Sequence, residues 1–242
     1  MNFESLGLSI EVQQALTAAG YQMPTPVQSK TIPAILKGDD VLVAAQTGTG
    51  KTAGFVAPML DILNNAAAPT ANHVKGLILS PTRELAVQLH QAIIDYGRYS
   101  GLRSAVVFGG VKINPQMMSL RKGVHLLVAT PGRLLDLQRQ NAIAFDQLKI
   151  FVLDEADKLM SLGFRAEINQ LLDILPRKRQ TLMFSATLSP EIEKLAKTVL
   201  HAPVKIAVTP NEVAPAKVKQ WLVAVDKKRK TELLFELIKQ NK

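Results

Sequence analysis

The segment that most constrains this chain is a glycine-rich stretch between two apolar ones. Its residues are Ala45, Gln46, Thr47, Gly48, Thr49, Gly50, Lys51 and Thr52. The apolar run Val41–Ala44 before it predicts a strand, and the apolar segment that begins at Ala53 predicts a helix. A strand, a glycine loop and a helix start give the geometry that a triphosphate requires, because small residues let backbone N–H groups crowd around phosphate oxygens.

Two residues of this loop have specific predicted roles. The Lys51 side chain would reach the β- and γ-phosphates, and the Thr52 hydroxyl would bind Mg²⁺. The usual loop pattern begins with glycine, whereas this one begins with Ala45. The alternative is a tight strand-to-helix turn that binds nothing, and the adjoining strand and helix favour the phosphate site over it.

Composition narrows the class of protein further. The chain has 242 residues, 47% of them hydrophobic, a net charge of +9 and no cysteine, so it can bury a full core and has neither disulfides nor thiolate metal sites. The basic balance suits an anionic partner.

The histidines lack metal-ligand spacing and are predicted to lie at the surface or its boundary: His73, His90, His125 and His201. Without a signal pattern or a membrane-length apolar run, the sequence predicts a soluble intracellular protein.

The N-terminal region predicts two helices. Ser9 caps the first and Gly20 ends it, and Thr25-Pro26 begin the second. Gln28 lies in the first turn of that second helix. A carboxamide offers a donor and an acceptor together, which matches N6 and N7 of adenine, but a solvated helix glutamine is the alternative. The residues alone leave both interpretations open.

Six apolar runs separated by helix-length segments predict an α/β fold with a parallel sheet. The runs are Val41–Ala44, Leu77–Leu79, Ala105–Phe108, Leu126–Ala129, Ile150–Leu153 and Thr181–Phe184. Polar clusters follow the last five of these runs, and the carboxyl ends of parallel strands share one edge where ligands bind. The clusters contain Pro81, Thr82 and Arg83; Gly109 and Gly110; Thr130, Gly132 and Arg133; Asp154, Glu155 and Asp157; and Ser185 and Thr187.

The acidic cluster is the strongest of these candidates. Asp154 stands where a phosphate-loop protein places its second Mg²⁺ carboxylate, and Glu155 could orient or deprotonate an attacking water. The alternative is an ordinary acidic turn paired with Lys158. The glycine loop at the same edge favours the metal site. Ser185 and Thr187 could hydrogen-bond this cluster or simply cap the next helix.

The remaining clusters predict a track for a phosphate backbone. Thr82 and Thr130 each precede a helix and could form anion sites with its free N–H groups. Arg83 and Arg133 add positive charge, and the Gly109-Gly110 pair lets a backbone approach closely. Each cluster taken alone is an ordinary cap or turn. Their shared edge favours the track.

Eight motifs in this order resemble the first RecA-like domain of a DEAD-box ATP-dependent RNA helicase of superfamily 2. The resemblance extends from Phe3 to about Ala207. The segment Asp154–Asp157 spells the family name, and Ala45 is the usual residue of the family at its position. The opening Phe3–Leu8 resembles bacterial members of the RhlE-like subgroup.

The resemblance implies a RecA-like fold with a mostly parallel sheet and helices on both faces, ATP and Mg²⁺ as cofactors, and RNA as the partner. It implies that Gln28 reads adenine and that Phe3 or Tyr21 packs near the base. It also implies that the Ser185–Thr187 motif, with Asp157, couples the ATP state to RNA binding. The residues it implies for RNA contact are Pro81, Thr82, Arg83, Gly109, Gly110, Thr130, Gly132 and Arg133.

The resemblance also predicts the domain organisation. Residues 1–208 would form the ATP-binding domain, residues 209–217 a linker, and residues 218–242 the start of a truncated second RecA-like domain. Val218–Val225 predicts a strand and Lys227–Gln240 an amphipathic helix. The arginines that the family uses across the γ-phosphate would belong to the missing part. We therefore expect nucleotide binding with poor turnover, a cytoplasmic location and no membrane partner.

Two other functions remain as alternatives. One is a non-catalytic RNA clamp, which the intact Lys51, Asp154 and Glu155 argue against. The other is a DNA-directed motor of the same superfamily, which Gln28 and Asp157 disfavour. RNA-stimulated and DNA-stimulated ATP hydrolysis would discriminate among the three.

Overall fold

The computed structural model describes residues 2–208 and 223–240. These residues form two units, one up to residue 208 and one from residue 223 onward. In the described residues no helix is both long and apolar enough to cross a membrane.

The first unit is built on a seven-stranded parallel sheet, which confirms the predicted fold class. Its strands are β1 (Val41–Ala44), β2 (Val74–Leu79), β3 (Ser104–Val107), β4 (Val124–Ala129), β5 (Ile150–Leu153), β6 (Gln180–Ser185) and β7 (Val204–Ala207). Their spatial order is β3-β4-β2-β5-β6-β1-β7. The seventh strand, β7, was absent from the six predicted runs. It lies at an edge and buries only Ile206, so it lacks a continuous apolar run.

Nine α-helices in the described part of this unit surround the sheet: two precede the first strand, and seven connect successive strands. They are α1 (Ile10–Ala18), α2 (Pro26–Leu36), α3 (Lys51–Asn64), α4 (Arg83–Tyr96), α5 (Ile113–Leu120), α6 (Pro131–Arg139), α7 (Ala156–Ser161), α8 (Arg165–Ile174) and α9 (Pro190–Val199). The two predicted N-terminal helices are confirmed together with their caps. The Ser9 hydroxyl accepts a hydrogen bond from the Val12 N–H, and the Thr25 hydroxyl accepts one from the Gln28 N–H.

The sheet separates two apolar cores, so the helices lie on both faces as predicted. Successive residues of β1 enter different cores, Val41 and Val43 on one side and Leu42 on the other. Helices α1 to α4 cover the first core, where Phe55 of α3 and Phe184 of β6 have ring centroids 4.8 Å apart. Helices α5 to α9 cover the second core. Strands buried on both faces fix the positions at which the loops leave the sheet.

One histidine prediction is wrong. His125 lies in β4, is only 7% exposed, and accepts a hydrogen bond from the Arg103 backbone N–H at Nδ1 over 3.0 Å. Burial lowers the pKa of His125, and the nearby positive charges of Arg103 and Lys75 lower it further. A single polar residue in an otherwise apolar strand does not reveal whether its neighbours supply a partner.

The second unit consists of a 3₁₀ turn, Lys227–Arg229, followed by α10 (Lys230–Gln240). This confirms the predicted C-terminal helix. The predicted strand Val218–Val225 falls mostly outside the described residues, and its last three positions are not in a strand. Apolar side chains of α10 are exposed, among them Leu234, Phe235 and Ile238.

Candidate functional site

The glycine loop between β1 and α3 has a backbone that side chains would disturb. Gly48 and Gly50 have φ of 86° and 88°, in the left-handed region, and Gly50 is the N-cap of α3. A Cβ on Gly50 would lie 2.5 Å from Nε2 of Gln28. No side chain caps α3, so its first N–H groups remain available to an anion.

Gln28 is completely buried and braces this loop. Its Oε1 accepts a hydrogen bond from the Thr25 N–H at 2.9 Å, and its Nε2 donates to the Gly50 carbonyl at 3.0 Å. Gln28 is therefore not a solvated helix residue. Its contact with adenine stays a prediction, and any such contact has to share these two polar atoms.

Lys51 is held at the start of α3 with its ammonium group inside the protein. The residue is 7% exposed, and Nζ donates to the Ala45 carbonyl at 2.8 Å. Ala45 itself is 2% exposed. The loop thus keeps a cation close to its own backbone in a place with little water.

The acidic pair follows β5 and is also buried. Asp154 is 7% exposed, and burial raises its pKa to about 6, even though the positive charge of Lys51 acts in the opposite direction. Its Oδ1 accepts from the Glu155 N–H at 3.0 Å. Glu155 adopts φ of 49°, which is uncommon for a residue with a side chain, and its Oε2 lies 2.8 Å from Nζ of Lys158. The structure therefore stores an unfavourable charge and a strained backbone next to the loop.

A cavity of ≈ 460 Å³ joins the loop to the acidic pair. Thr47, Gly48, Gly50, Lys51, Thr52, Asp154 and Glu155 all line it. The structure thus brings together the candidates from β1 and β5, although residues 51 and 154 are far apart in the sequence. This is the arrangement that the shared strand edge predicts.

One wall of this cavity comes from α4 and was missed in the sequence. It contains Leu85, Gln88, Leu89, Ala92 and Tyr96. Their spacing of three to four residues marks one helix face, but the same spacing is typical of any core-facing helix. The pattern therefore could not have distinguished a ligand wall from packing.

Tyr21 and Phe3 occupy different positions around the cavity. Tyr21 lines it, and the hydroxyl of Tyr21 lies 2.7 Å from that of Tyr96. Phe3 packs edge-to-face on Tyr21 with ring centroids 6.3 Å apart, but it does not line the cavity. Tyr21 is thus the better placed of the two for a base, and the base contact remains a prediction.

The residues present fit a magnesium ion. The Thr52 hydroxyl and the Asp154 carboxylate, both oxygen ligands, line the same cavity. Among the described residues no group of three or more His, Cys, Asp or Glu could enclose a metal. Mg²⁺ commonly takes one or two protein ligands and completes its shell with phosphate and water, so this sparse set matches it.

The predicted phosphate track lies along neighbouring strand ends. The Thr82 hydroxyl caps α4, whereas Thr130 precedes α6 without a side-chain capping bond. The Arg83 guanidinium lies 5.0 Å from the ring centroid of Phe108, next to the exposed Gly109-Gly110 turn. A Cβ on either of these glycines would meet open space. The turn is therefore accessible to a large ligand.

Arg133 differs from Arg83 because its side chain is buried. It is 9% exposed and donates to Oε1 of Gln116 at 3.0 Å and to the Val111 carbonyl at 2.8 Å. Gln116 in turn bonds both backbone groups of Phe108. Arg133 thus fixes the loop after β3, and sequence reasoning missed Gln116 because a lone helix glutamine carries no motif. Pro81 is buried beside Thr82, and Gly132 lies in the first turn of α6.

The Ser185–Thr187 motif after β6 contacts Asp157 of the acidic segment. The Asp157 Oδ2 accepts a hydrogen bond from the Ala186 N–H at 3.2 Å and one from the Thr187 hydroxyl at 3.3 Å. Ser185 is completely buried and accepts from the Thr187 N–H, and no described hydrogen bond joins it to the acidic cluster. The helix cap belongs to Ser189, so capping does not occupy Thr187.

Comparisons with known proteins agree with this geometry. A family model described as DEAD/DEAH box helicase matches residues 25–195. The chain is 36% identical over 238 residues to the DEAD-box ATP-dependent RNA helicase RhpA of Helicobacter pylori, covering 98% of this chain and 47% of the relative. It is 36% identical over 236 residues to the DEAD-box ATP-dependent RNA helicase CshA of Bacillus anthracis, covering 98% of this chain and 44% of that one.

Solved structures give the same result. A crystal structure of a DEAD box protein from the hyperthermophile Methanococcus jannaschii superposes with a TM-score of 0.81 and 33% identity, covering 99% of this chain and 63% of that one. A hypothetical ATP-dependent RNA helicase from Sulfolobus tokodaii matches 82% of this chain and 56% of its own, with a TM-score of 0.75 and 37% identity. The chain spans about half the length of the curated relatives it matches. It belongs to the DEAD/DEAH box helicase family.

Proposed function

We propose that this chain is the ATP-binding and RNA-binding half of an ATP-dependent RNA helicase that remodels or unwinds RNA duplexes. The observation that carries this proposal is the single cavity shared by the glycine loop, Lys51 and the buried acidic pair. Family membership supports the same activity.

Each group of the cavity has a distinct part in the proposed reaction. The N–H groups at the start of α3 bind phosphate oxygens, and Lys51 exchanges the Ala45 carbonyl for the β- and γ-phosphates. Thr52 and Asp154 would hold Mg²⁺, which when bound neutralises charge on the phosphates. Glu155 orients the attacking water and accepts its proton, and Lys158 fixes the position of that carboxylate.

The proposed RNA track follows the neighbouring strand ends. Thr82 and Arg83 would hold one part of the strand, and Gly109-Gly110 would let the RNA backbone approach closely. Thr130 and Gly132 would contact phosphates at α6, while the buried Arg133 would hold the turn after β3 in place. Asp157 and Thr187 would transmit the state of the nucleotide through their hydrogen bond.

The proposed domain boundaries follow from the same assignment. Residues 1–208 form the first RecA-like domain, residues 209–217 a linker, and residues 218–242 the beginning of the second. The two described units are compatible with this division. We also infer a cytoplasmic location, which the absence of cysteine favours.

The test measures nucleotide binding and stimulated hydrolysis. Wild type should bind a fluorescent ATP analogue, and Lys51→Ala should bind it far more weakly, while the exposed Lys194→Gln should leave binding unchanged. In a protein that carries the second domain, single-stranded RNA should stimulate ATP hydrolysis more than single-stranded DNA does. Equal stimulation by DNA would indicate a DNA-directed motor, and no hydrolysis with either would indicate an RNA clamp.

A further inference from the structure

The amino edge of the sheet, opposite the nucleotide cavity, carries a row of basic residues. Five adjacent strands each have one basic residue within two residues of their start. In spatial order these strands are β3, β4, β2, β5 and β6. We call these residues the basic row: Arg103, Lys122, Lys75, Lys149 and Arg179. The function proposed above uses none of them.

Hydrogen bonds show that neighbours in the basic row lie side by side. The Arg103 guanidinium donates to the Lys122 carbonyl at 3.0 Å. The Lys149 N–H donates to the Lys75 carbonyl at 2.8 Å, and the Lys149 carbonyl accepts from the residue after Arg179 at 2.8 Å. Adjacent strands are about 4.8 Å apart, so five strands spread these charges over about 19 Å.

The basic row makes few contacts with acidic groups. Burial lowers the pKa of Arg179, and the negative charge of Asp40, the one described carboxylate that acts on the row, raises it. Within residues 2–208 and 223–240 no ion pair involves any of its members. Burial lowers the pKa of Lys75, and the positive charge of Lys149 lowers it further. Like charges held this close repel one another, and an anionic ligand would relieve that repulsion.

An open cavity of ≈ 820 Å³ lies at one end of the row. Four basic residues line it, together with two aspartates: Lys149, Arg177, Lys178, Arg179, Asp39 and Asp40. The Asp40 carboxylate is already engaged, because it accepts backbone N–H groups from Thr181 and His201, each at 2.7 Å. The cavity therefore offers more free positive than negative charge.

The Arg179 guanidinium is held in place by contacts within the protein. Its guanidinium lies 5.6 Å from the ring centroid of Phe151, and Nη1 donates to the Pro176 carbonyl at 2.7 Å. Its Nε is buried and has no hydrogen-bond partner among the described residues. A guanidinium held in place at the wall of an open cavity suits a phosphate, which accepts hydrogen bonds at several oxygens.

We propose that the basic row and its cavity form a second RNA surface, which binds phosphates of the segment flanking the RNA held at the carboxyl edge. This proposal rests on the proposed function, which brings RNA to the opposite edge. No Phe, Tyr or Trp among the described residues lines the cavity, so it offers backbone contact without base stacking. RNA is favoured over an acidic peptide because the proposed function already brings RNA to this domain.

The test compares two double variants of the 242-residue chain. Lys149→Gln with Lys178→Gln removes two exposed charges beside the cavity, and Lys30→Gln with Lys194→Gln removes two exposed charges elsewhere. Affinity is measured by fluorescence anisotropy against salt concentration. The probes are a single-stranded RNA of about 8 nucleotides, within the site size of one domain, and one of about 25 nucleotides, which exceeds it.

For the longer RNA, the plot of log affinity against log salt should become less steep in the Lys149/Lys178 variant. The magnitude of its slope should decrease by about 1.4, since each lost phosphate contact on a single strand removes about 0.7. The Lys30/Lys194 control and the shorter RNA should show no such change. An unchanged slope for the longer RNA overturns the proposal. Labelled poly-glutamate tests an acidic protein partner instead. If the Lys149/Lys178 variant loses poly-glutamate binding while its salt slope for the longer RNA is unchanged, the RNA proposal is overturned in favour of such a partner.

A carboxyl-edge variant separates this proposal from the one on which it rests. Arg83→Ala should weaken binding of both RNAs. If it does so while the Lys149/Lys178 variant behaves like wild type, the second surface is wrong and the proposed track stands. If Arg83→Ala changes the binding of neither RNA, the proposed carboxyl-edge track is wrong, whatever the Lys149/Lys178 variant shows.

Discussion

The two edges of the sheet are built in different ways. At the carboxyl edge, each of the strands β1 to β6 is followed by a short stretch of candidate site residues, such as Ala45–Thr52 and Asp154–Asp157. At the amino edge, five of the seven strands each contribute one basic residue, and no two of these are neighbours in the sequence. The carboxyl edge buries charges of both signs within one cavity, whereas four basic residues outnumber two aspartates around the open cavity at the amino edge. Local motifs therefore reveal the first edge, and only strand order reveals the second.

The largest expected effect concerns whether the carboxyl edge holds every group that ATP hydrolysis needs. An arginine supplied from outside the phosphate loop accelerates related reactions by about 10³–10⁵, and no motif for it is present here. Adding the second domain should therefore raise RNA-stimulated ATP turnover by about that factor. Turnover is measured with saturating single-stranded RNA in both proteins. Comparable rates would mean that the carboxyl edge is catalytically complete by itself.

The second prediction separates binding from chemistry at the carboxyl edge. Glu155→Gln keeps the shape of the side chain but loses its basicity, so turnover in the two-domain protein should fall by about 10²–10⁴. Nucleotide affinity should stay near that of wild type. The matched control is Lys194→Gln on the exposed face of α9. Normal hydrolysis by Glu155→Gln would exclude the proton-accepting role.

The third prediction concerns the buried acid. Burial raises the Asp154 pKa from 3.8 to about 6. Between these values the unfolded chain loses the proton while the folded chain keeps it, so stability should fall as pH rises from about 4 to 6, by about 3 kcal/mol. Asp154→Asn should remove this fall and be the more stable protein at pH 7.5. The free energy of unfolding is measured by urea denaturation at several pH values, in EDTA and without nucleotide. If it depends on pH in the same way in wild type and in Asp154→Asn, the raised pKa of Asp154 is refuted.

The fourth prediction tests adenine recognition against loop bracing. A paired adenine contact contributes about 1–3 kcal/mol of discrimination, so wild type should prefer ATP to GTP by that amount. Gln28→Ala should lose this preference and also the brace on Gly50. Gln28→Glu keeps the acceptor for the Thr25 N–H but loses the donor that serves both the Gly50 carbonyl and N7 of adenine, so both effects should appear in it. Equal affinities for ATP and GTP in wild type would contradict the assignment.

The smallest expected effect lies at the amino edge and has the opposite sign to that of Asp154. The pKa of His125 is lowered from 6.5 by burial and by nearby positive charges. As pH falls below 6.5, the unfolded chain takes up a proton that the folded chain does not, so stability is lost toward acid. His125→Asn, which keeps an acceptor for the Arg103 N–H, should reduce this loss in urea unfolding. A steeper acid loss in the variant would contradict the expectation.

Much of the fold could be predicted because the signals are local. Ser9 and Thr25 mark helix starts through hydrogen bonds that reach only three residues along the chain. Strands β1, β2, β4, β5 and β6 are apolar runs because both of their faces are buried, and the edge strand β3 was found although only its alternate residues are buried. Strand β7 was missed because it buries only Ile206, and the hydrogen-bond partner of the buried His125 is the backbone of Arg103, which is distant in the sequence.

The sequence by itself determined the α/β class, the glycine loop and the acidic pair at strand ends, since each is set by contiguous residues and short-range sterics. Only the tertiary structure decided that Gln28 braces Gly50, that Arg133 points inward to Gln116, and that an α4 face walls the cavity. It also decided the order β3-β4-β2-β5-β6, which aligns the basic row. The physical reason is that burial, pKa and charge repulsion depend on neighbours in space, and packing of the two cores selects those neighbours.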